Sequence, residues 1–307
     1  MKTKKILIGA ILFAVGGLAV SVRDTSAAPH NLPADGETIN ARKSGDVPDT
    51  TSTQETEQMP SEPTPARSFD TPAFWGTRLI NLPTTTTIPS RIFLLRISHR
   101  FFQPVGTGFD DLFGLDGFAN ILISFGYGIT DNLSVTVGRT RLFKEFEFGA
   151  DWRIAGQDSA ARIPISLTLH GGLSLATDGD DKIKLNAALS LSRQFTNRFS
   201  IMIVPGFSSN TNHWNDDPGG TLSLGFGARY MVFEDFSVIS EWTPVLSGYK
   251  DRENGWGLGL EKKIGGHVFQ VFVTNTFGMT TSQVLPGGDL RFGDFDFRIG
   301  FNIFRIF

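Results

Sequence analysis

The chain has 307 residues, of which 40% are hydrophobic and 19% charged, and its 28 Lys+Arg against 31 Asp+Glu leave a formal net charge of −3. Without a basic excess, we expect no nucleic-acid partner. Because the sequence contains no cysteine, disulfide scaffolds, thiolate metal sites and cysteine nucleophiles are excluded. The 28 Phe and 34 Gly residues favour β structure, since aromatic residues are enriched in strands and glycine marks bends within them.

The N-terminus has the pattern of an export signal. Lysines at positions 2, 4 and 5 precede an apolar run over residues 6–22, and small residues follow up to Ala27. This pattern predicts a signal peptide over residues 1–27 that is cleaved on export. The alternative is a retained membrane anchor, but the run is at the lower edge of the length of a spanning helix.

Residues 28–67 are rich in Pro, Thr, Glu, Ser and Asp and have almost no large apolar side chains. Such a segment cannot bury enough apolar surface to offset the entropy of ordering. We therefore predict a disordered periplasmic linker.

Residues 68–90 carry too much apolar surface for a free tether. We expect a lead-in segment that covers the periplasmic mouth of the domain that follows, and the alternative places the segment inside that domain. The apolar side chains concerned are those of Phe69, Phe74, Trp75, Leu79 and Ile80.

Residues 91–307 alternate between apolar residues and small or polar residues, which is the pattern of strands with one apolar face. In residues 120–129, for example, the polar and small face carries Asn120, Ser124, Gly126 and Gly128, and the apolar face carries Ile121, Ile123, Phe125, Tyr127 and Ile129.

Short and long connections broadly alternate along this region, as they do between the periplasmic turns and outer loops of membrane β-barrels. A soluble β-sandwich has no reason for this alternation. We predict an all-β fold, a transmembrane antiparallel β-barrel of about twelve strands, with both ends of the barrel chain on the periplasmic side. The short connections lie near residues 131–132, 196–198, 234–235 and 265–266, and the longer ones near 104–118, 178–181, 208–220, 247–254 and 278–294.

The last residues share one aromatic face and end on Phe307. A final strand ending in an aromatic residue resembles the signal that the outer-membrane barrel assembly machinery reads. We therefore expect Phe307 to be an assembly signal, and the partners to be the outer-membrane bilayer and, during biogenesis, the assembly machinery and periplasmic chaperones. The sequence leaves the oligomeric state open.

Charged residues on the predicted lumen face are balanced in sign. Isolated charges inside a barrel are costly, so we expect these residues to pair across strands or face water. A channel selective for anions would carry an excess of one sign. The cations are Arg96, Arg100, Arg153, Lys184, Arg229, Lys263 and Arg298, and the anions are Glu145, Glu147, Asp151, Glu241, Glu261, Asp294 and Asp296.

No catalytic, cofactor or metal site is predicted, so the chain is not expected to be an enzyme. His170 lies on the lumen face beside Ser166, Thr168 and Ser174, and we expect a neighbouring carboxylate to satisfy it. Acidic residues in two loops are candidate calcium ligands, but their spacing does not match that of the twelve-residue calcium loop. These are Asp178, Asp180 and Asp181 in one loop and Asp216 and Asp217 in another.

Several short motifs in one order resemble a family of bacterial outer-membrane β-barrels known only as a domain of unknown function. The resemblance covers roughly residues 74–307 and implies the barrel and its location, but no substrate, catalytic residue or cofactor. The motifs are FWGTRLIN at 74–81, ISHRF at 97–101, LFGLD at 112–116, YGITD at 127–131, VGR at 137–139, GGHVFQ at 265–270, TN at 274–275 and FNI at 301–303.

Three functions remain open at this point. The first is a narrow pore for passive or substrate-specific permeation of small solutes. The second is an occluded barrel with a structural role or a binding role in its outer loops. The third, which the sequence supports least, is an outer-membrane enzyme that modifies lipids.

Overall fold

The computed structural model describes residues 72–158, 163–178, 183–211, 219–249, 252–292 and 296–307. The predicted signal peptide, the linker and the first residues of the lead-in segment lie outside the described residues. Asp294 and the loop residues Asp180, Asp181, Asp216 and Asp217 also lie outside them. No helix in these six ranges is long and apolar enough to cross a membrane.

The described residues form thirteen β-strands in one antiparallel sheet. The strands are β1 (Phe93–Phe101), β2 (Ala119–Thr130), β3 (Leu133–Thr140), β4 (Phe146–Ala155), β5 (Ser166–Leu175), β6 (Ile183–Gln194), β7 (Phe199–Ser208), β8 (Thr221–Phe233), β9 (Phe236–Thr243), β10 (Val245–Ser247), β11 (Gly255–Ile264), β12 (His267–Thr274) and β13 (Arg298–Ile306). One short helix, α1 (Thr281–Val284), lies in the connection between β12 and β13.

The sheet closes on itself, because β1 pairs with β13 and β8 pairs with both β9 and β10. Strands β9 and β10 are two parts of one crossing, interrupted at Pro244. Proline has no N–H to donate to the ladder, but its carbonyl still accepts from Leu224 N–H at 3.0 Å. The barrel therefore has twelve crossings, and the predicted fold class is confirmed.

Side chains along each strand alternate between the outer and inner faces of the barrel. On β2, Ile123 and Phe125 are 48% and 59% exposed, whereas Leu122 and Ser124 are 0% and 7% exposed. A closed sheet with an apolar outer surface satisfies all its backbone groups internally, which is the requirement for a strand structure in lipid.

The two ends of the barrel differ. The end with the connections at 131–132, 195–198, 234–235 and 265–266 is here called the turn end. The opposite end, with the longer connections at 102–118 and 275–297, is called the loop end. Both chain ends of the barrel lie at the turn end, where Phe307 N–H donates to Phe93 O at 3.0 Å.

Two segments fill the interior of the barrel. Residues 72–90, here called the inner segment, precede β1, and residues 275–288, here called the inner loop, connect β12 to β13. The inner segment packs Phe74, Leu79 and Ile80 against wall residues such as Met202 and Val204. The expectation that this segment covers the mouth is therefore wrong, because its apolar side chains are buried inside the barrel.

Candidate functional site: the filled lumen

The tip of the inner segment is held by a carboxylate. Bonds from Leu79 N–H to Leu82 O at 2.9 Å and from Thr84 N–H to Thr77 O at 3.0 Å form a tight turn. The turn points the N–H groups of residues 80, 81 and 82 at Glu241, whose oxygens accept them at 2.9–3.2 Å. Such charge-assisted bonds are roughly twice as strong as neutral ones. Glu241, which we expected to pair with a cation, instead anchors backbone.

Polar side chains continue this anchor around the lumen. Arg100 donates to Asn81 Oδ1 at 3.0 Å and to Asn302 Oδ1 at 3.1 Å. The amide of Asn302 donates to Ile80 O at 3.0 Å and to Gln270 Oε1 at 2.7 Å. Strands β1, β12 and β13 therefore hold the same turn from a second side.

Arg229 holds the start of the inner segment. Its guanidinium donates to Pro72 O at 2.9 Å and Ala73 O at 3.0 Å and lies 3.8 Å from the centre of the Trp75 ring. Glu261 lies 3.6 Å from Arg229 Nε. This cation therefore contacts both a wall carboxylate and the inner segment.

Strands β5 and β6 hold the rest of the inner segment with hydroxyl groups. Ser190 Oγ donates to Pro83 O at 2.7 Å, and Thr168 Oγ1 donates to Thr85 O at 3.1 Å. The hydroxyls of Thr85 and Ser192 lie 2.6 Å apart. Strands β5 and β6 thus hold this part of the inner segment through short polar groups.

Asp151, His170 and Ser190 lie in a row that resembles a hydrolase triad. His170 Nδ1 is 2.7 Å from Asp151 Oδ1, and His170 Nε2 is 2.9 Å from Ser190 Oγ. A nucleophile needs a free hydroxyl and room for a substrate, but Ser190 is 0% exposed and donates to Pro83 O. The row therefore serves as a wall anchor. Sequence reasoning placed His170 beside residues of its own strand and missed Ser190 on β6.

The inner loop is held by a buried ion pair. Lys184 Nζ lies 2.5 Å from Glu145 Oε2, and both side chains are 0% exposed. The other oxygen of Glu145 accepts from the hydroxyls of Thr280 and Ser282 at 2.5 and 2.6 Å. Glu147 accepts from the backbone N–H of residue 281 at 2.7 Å.

Of the remaining charged residues on the predicted lumen face, Arg298 also contacts the inner loop, donating to Asn275 O at 3.5 Å. Arg96 is buried, and its Nε atom has no hydrogen-bond partner among the residues that the structure describes. Arg298 pairs with Asp289 through two bonds of 2.9 and 2.7 Å at the loop end. Three others lie at the rims: Arg153 donates to Asn132 Oδ1, Lys263 is exposed beside the 265–266 turn, and Asp296 lies against Gly106.

Glycines on the lumen face make room for the inner segment. A Cβ at Gly225 would lie 2.7 Å from the side chain of Leu82, and one at Gly227 would lie 2.7 Å from that of Leu79. Glycine inside a strand often marks such a close approach. These glycines, together with the apolar residues at 74–80, are the sequence signals that indicate an occupied lumen.

The inner segment and the inner loop meet at the centre of the barrel. Arg78 Nη2 donates to Thr281 Oγ1 at 3.2 Å. Beside this bond, a cavity of about 20 Å³ lies against β4–β6, lined by Glu147, Asp151 and His170 among others. That is room for about one water molecule. Within the described ranges, no group of three or more His, Cys, Asp or Glu side chains could hold a metal ion.

The chain is similar in fold to solved porins. It matches the NanC porin at 6% identity over 69% of this chain and 98% of that one, with a TM-score of 0.47. It matches a KdgM porin, solved in complex with disordered oligogalacturonate, at 10% identity over 69% and 98%, with a TM-score of 0.45. A mutant Rh. blastica porin matches at 12% identity over 61% and 55%, with a TM-score of 0.31.

No curated protein matches the chain. A family match covers residues 74–307, which are the described inner segment from Phe74 onward and the whole barrel. The structure has the closed sheet and the apolar outer surface that this family's description requires. The chain therefore belongs to the family described as "Membrane bound beta barrel domain (DUF5777)".

Proposed function

We propose that this barrel passes small polar solutes across the outer membrane and that the inner segment and the inner loop hold its path closed in the state described above. The observation that carries the proposal is the way in which the lumen is filled. Wall side chains such as Arg100 and Lys184 fill part of it, and two chain segments, joined at their meeting point by the Arg78–Thr281 bond, fill the rest.

The size of the barrel explains this arrangement. Eight-stranded barrels are filled by their own side chains, whereas barrels of sixteen or more strands leave an aqueous channel. A barrel of twelve crossings lies between them, and much of its inner wall carries small side chains, including Ser124, Thr168, Ser190 and Ser192. Removing the two segments would leave a channel with every strand pairing intact, lined by these polar side chains and by an apolar patch that includes Met202 and Val204.

We further propose that the barrel is exported and inserted in the outer membrane by the assembly machinery. The predicted signal peptide and the terminal Phe307 support this location. The mature protein should fractionate with the outer membrane and migrate faster unheated than boiled on a detergent gel. Deleting Phe307 should lower the yield of assembled barrel, whereas recovery of native protein in the soluble periplasm would contradict the location.

A second candidate is a permanently occluded barrel with a structural role. The extent of the anchoring favours it, since Glu241 alone accepts from three backbone N–H groups and the Asn81 amide. The two candidates differ in one property, which is whether the inner segment leaves the lumen in the folded, membrane-inserted protein.

Conductance of the purified, refolded protein in planar bilayers separates the candidates. We expect a small conductance for the wild type and a larger or more frequent one for Glu241→Gln, because the amide retains one acceptor oxygen and loses the charge. Glu253→Gln, at an exposed loop glutamate paired with Arg291, is the matched control and should behave as the wild type. A wild type that conducts like a wide porin contradicts the closed state.

A chemical probe gives a second readout. Because the chain has no cysteine, a single Ser192→Cys variant reports on the lumen beneath Thr85. A water-soluble thiol reagent should label it slowly in the wild-type background and faster with Glu241→Gln. Ser247→Cys, exposed at the loop end, should label at once in both. Absence of both conductance and Ser192→Cys labelling in the folded protein would establish the structural role instead.

A further inference from the structure

Two arginines lie on the lipid-facing surface at the loop end of the barrel. Arg139 is the last outward residue of β3, where it pairs in register with Phe146 of β4. Arg141 follows two residues later, and its backbone N–H donates to Ile121 O at 3.1 Å. Both side chains are exposed. Two residues along a strand are about 7 Å apart, so the two side chains are neighbours on one surface.

Aromatic rings orient both guanidinium groups. Arg141 lies 3.9 Å from the centre of the Phe118 ring, and Arg139 lies 5.4 Å from that of Phe146. Phe118 in turn packs edge-on against Phe102 at 6.0 Å. A guanidinium that stacks on a ring presents its N–H edge outward, in the fork geometry that matches a phosphate.

Neither guanidinium has an acidic partner in the part of the chain that the structure describes. Among the residues that the structure describes, neither donates a side-chain hydrogen bond or forms an ion pair with a carboxylate. The adjacent cation, Lys144, differs because it lies 3.7 Å from Asp178. Among the described residues, the loop end thus presents two cations that aromatic rings orient and no carboxylate pairs.

We propose that Arg139 and Arg141 bind the phosphate group of an anionic membrane lipid at the loop end of the barrel. A cation on the lipid face is costly at the middle of the bilayer but is tolerated near its interface, where it reaches the headgroups. Opposite charge, fork geometry and contact with the membrane surface all match a lipid phosphate. The site requires a membrane-embedded barrel and is independent of whether the lumen conducts.

The test uses the purified, refolded full chain in neutral detergent, titrated with a short-chain phosphatidic acid and with the matching diacylglycerol. Native mass spectrometry counts the bound lipid. The wild type should bind phosphatidic acid in preference to diacylglycerol. The double variant Arg139→Gln/Arg141→Gln should bind it at least about tenfold more weakly, because both cations that contact the phosphate are removed.

A matched control is available at the turn end. Arg193 and Arg198 are also exposed, and Arg193 lies 5.1 Å from the centre of the Phe195 ring. Arg193→Gln/Arg198→Gln removes the same charge and should retain wild-type binding, and gel migration of unheated samples verifies that both variants are folded. Equal loss in the two double variants, or no loss in either, would overturn the proposal. Binding of inorganic phosphate in place of the lipid would also overturn it.

Discussion

Arg78 and Thr281 join the two segments that fill the barrel, through a hydrogen bond of 3.2 Å between residues 203 positions apart in the chain. Arg78 belongs to the inner segment, which comes from the turn end, and Thr281 to the inner loop, which comes from the loop end. The bond therefore links the segment that enters from the turn end to the loop that enters from the loop end.

Loosening this bond should favour the open state. A hydrogen bond to a charged group contributes about 1.5–3 kcal/mol, so Arg78→Ala should raise the open fraction about tenfold or more. Thr281→Val removes only the acceptor oxygen of this bond, and it should also raise the open fraction. Single-channel recording in planar bilayers measures the open fraction. Arg291→Ala, at an exposed loop-end arginine, should leave it unchanged; an equal rise there would mean that charge alone causes the effect.

Glycine at position 128 should be required for the inner segment to reach the wall. A Cβ at Gly128 would overlap the carbonyl oxygen of Pro89, which is backbone and cannot turn aside. Gly128→Ala should therefore lower the free energy of unfolding by about 1–3 kcal/mol. Gly171→Ala is the control, because a Cβ there meets nothing within 4 Å. Urea unfolding in lipid vesicles measures both, and a neutral Gly128→Ala would show that the inner segment is not held at this point.

The buried Glu145–Lys184 pair should depend on both partners. Glu145→Ala leaves a buried ammonium group unpaired and frees Thr280 and Ser282, so we expect a loss of about 3–5 kcal/mol. Glu145→Ala/Lys184→Ala should lose less than the sum of the single variants, as a double-mutant cycle would show. By contrast, Lys144→Ala breaks only an exposed pair, for which we expect about 0–1 kcal/mol. Additive losses at Glu145 and Lys184 would mean that the two groups act separately.

A charged residue on the outward face of β2 should destabilise the barrel more in the middle of the membrane than near its surface. Phe125 and Ile129 lie on the same exposed face, 59% and 47% exposed, but Phe125 lies in the middle of β2, whereas Ile129 lies beside the 131–132 turn. Phe125→Arg should lower the free energy of unfolding by about 2–4 kcal/mol and Ile129→Arg by about 0–1 kcal/mol. Equal losses in vesicle unfolding would place the membrane at a different height on the barrel.

Ser190 should be inert toward a serine-reactive fluorophosphonate probe in the folded protein. Its hydroxyl is buried and donates to Pro83 O, so His170 has no free nucleophile to activate. Ser190→Ala should lower the free energy of unfolding by about 1 kcal/mol through the lost bond. Covalent labelling of folded wild type, absent in Ser190→Ala, would contradict the role as an anchor and indicate a hydrolase.

Sequence reasoning predicted the barrel and the faces of its strands because both are encoded locally. The period of two assigns Ile123 outward and Ser124 inward without reference to any other strand. It also placed Glu145, Lys184, Arg229 and Glu241 on the lumen face, where the structure finds them buried. The same reasoning expected these charges to pair across strands or face water. Glu145 and Lys184 do pair, but Glu241 binds backbone N–H groups of the inner segment, because strand alternation shows which way a residue faces and not what occupies the interior.

Alternation and connection lengths by themselves determined the fold class, a count of about twelve strands and the common end of the two chain termini. Only the tertiary structure decided that the lumen is filled and what each charged residue contacts. Glu241 accepts from Asn81, 160 residues away, and Glu145 accepts from Thr280, 135 residues away. Such contacts depend on where two irregular segments turn inside a closed wall, and irregular backbone has no periodic pattern from which its path could be read.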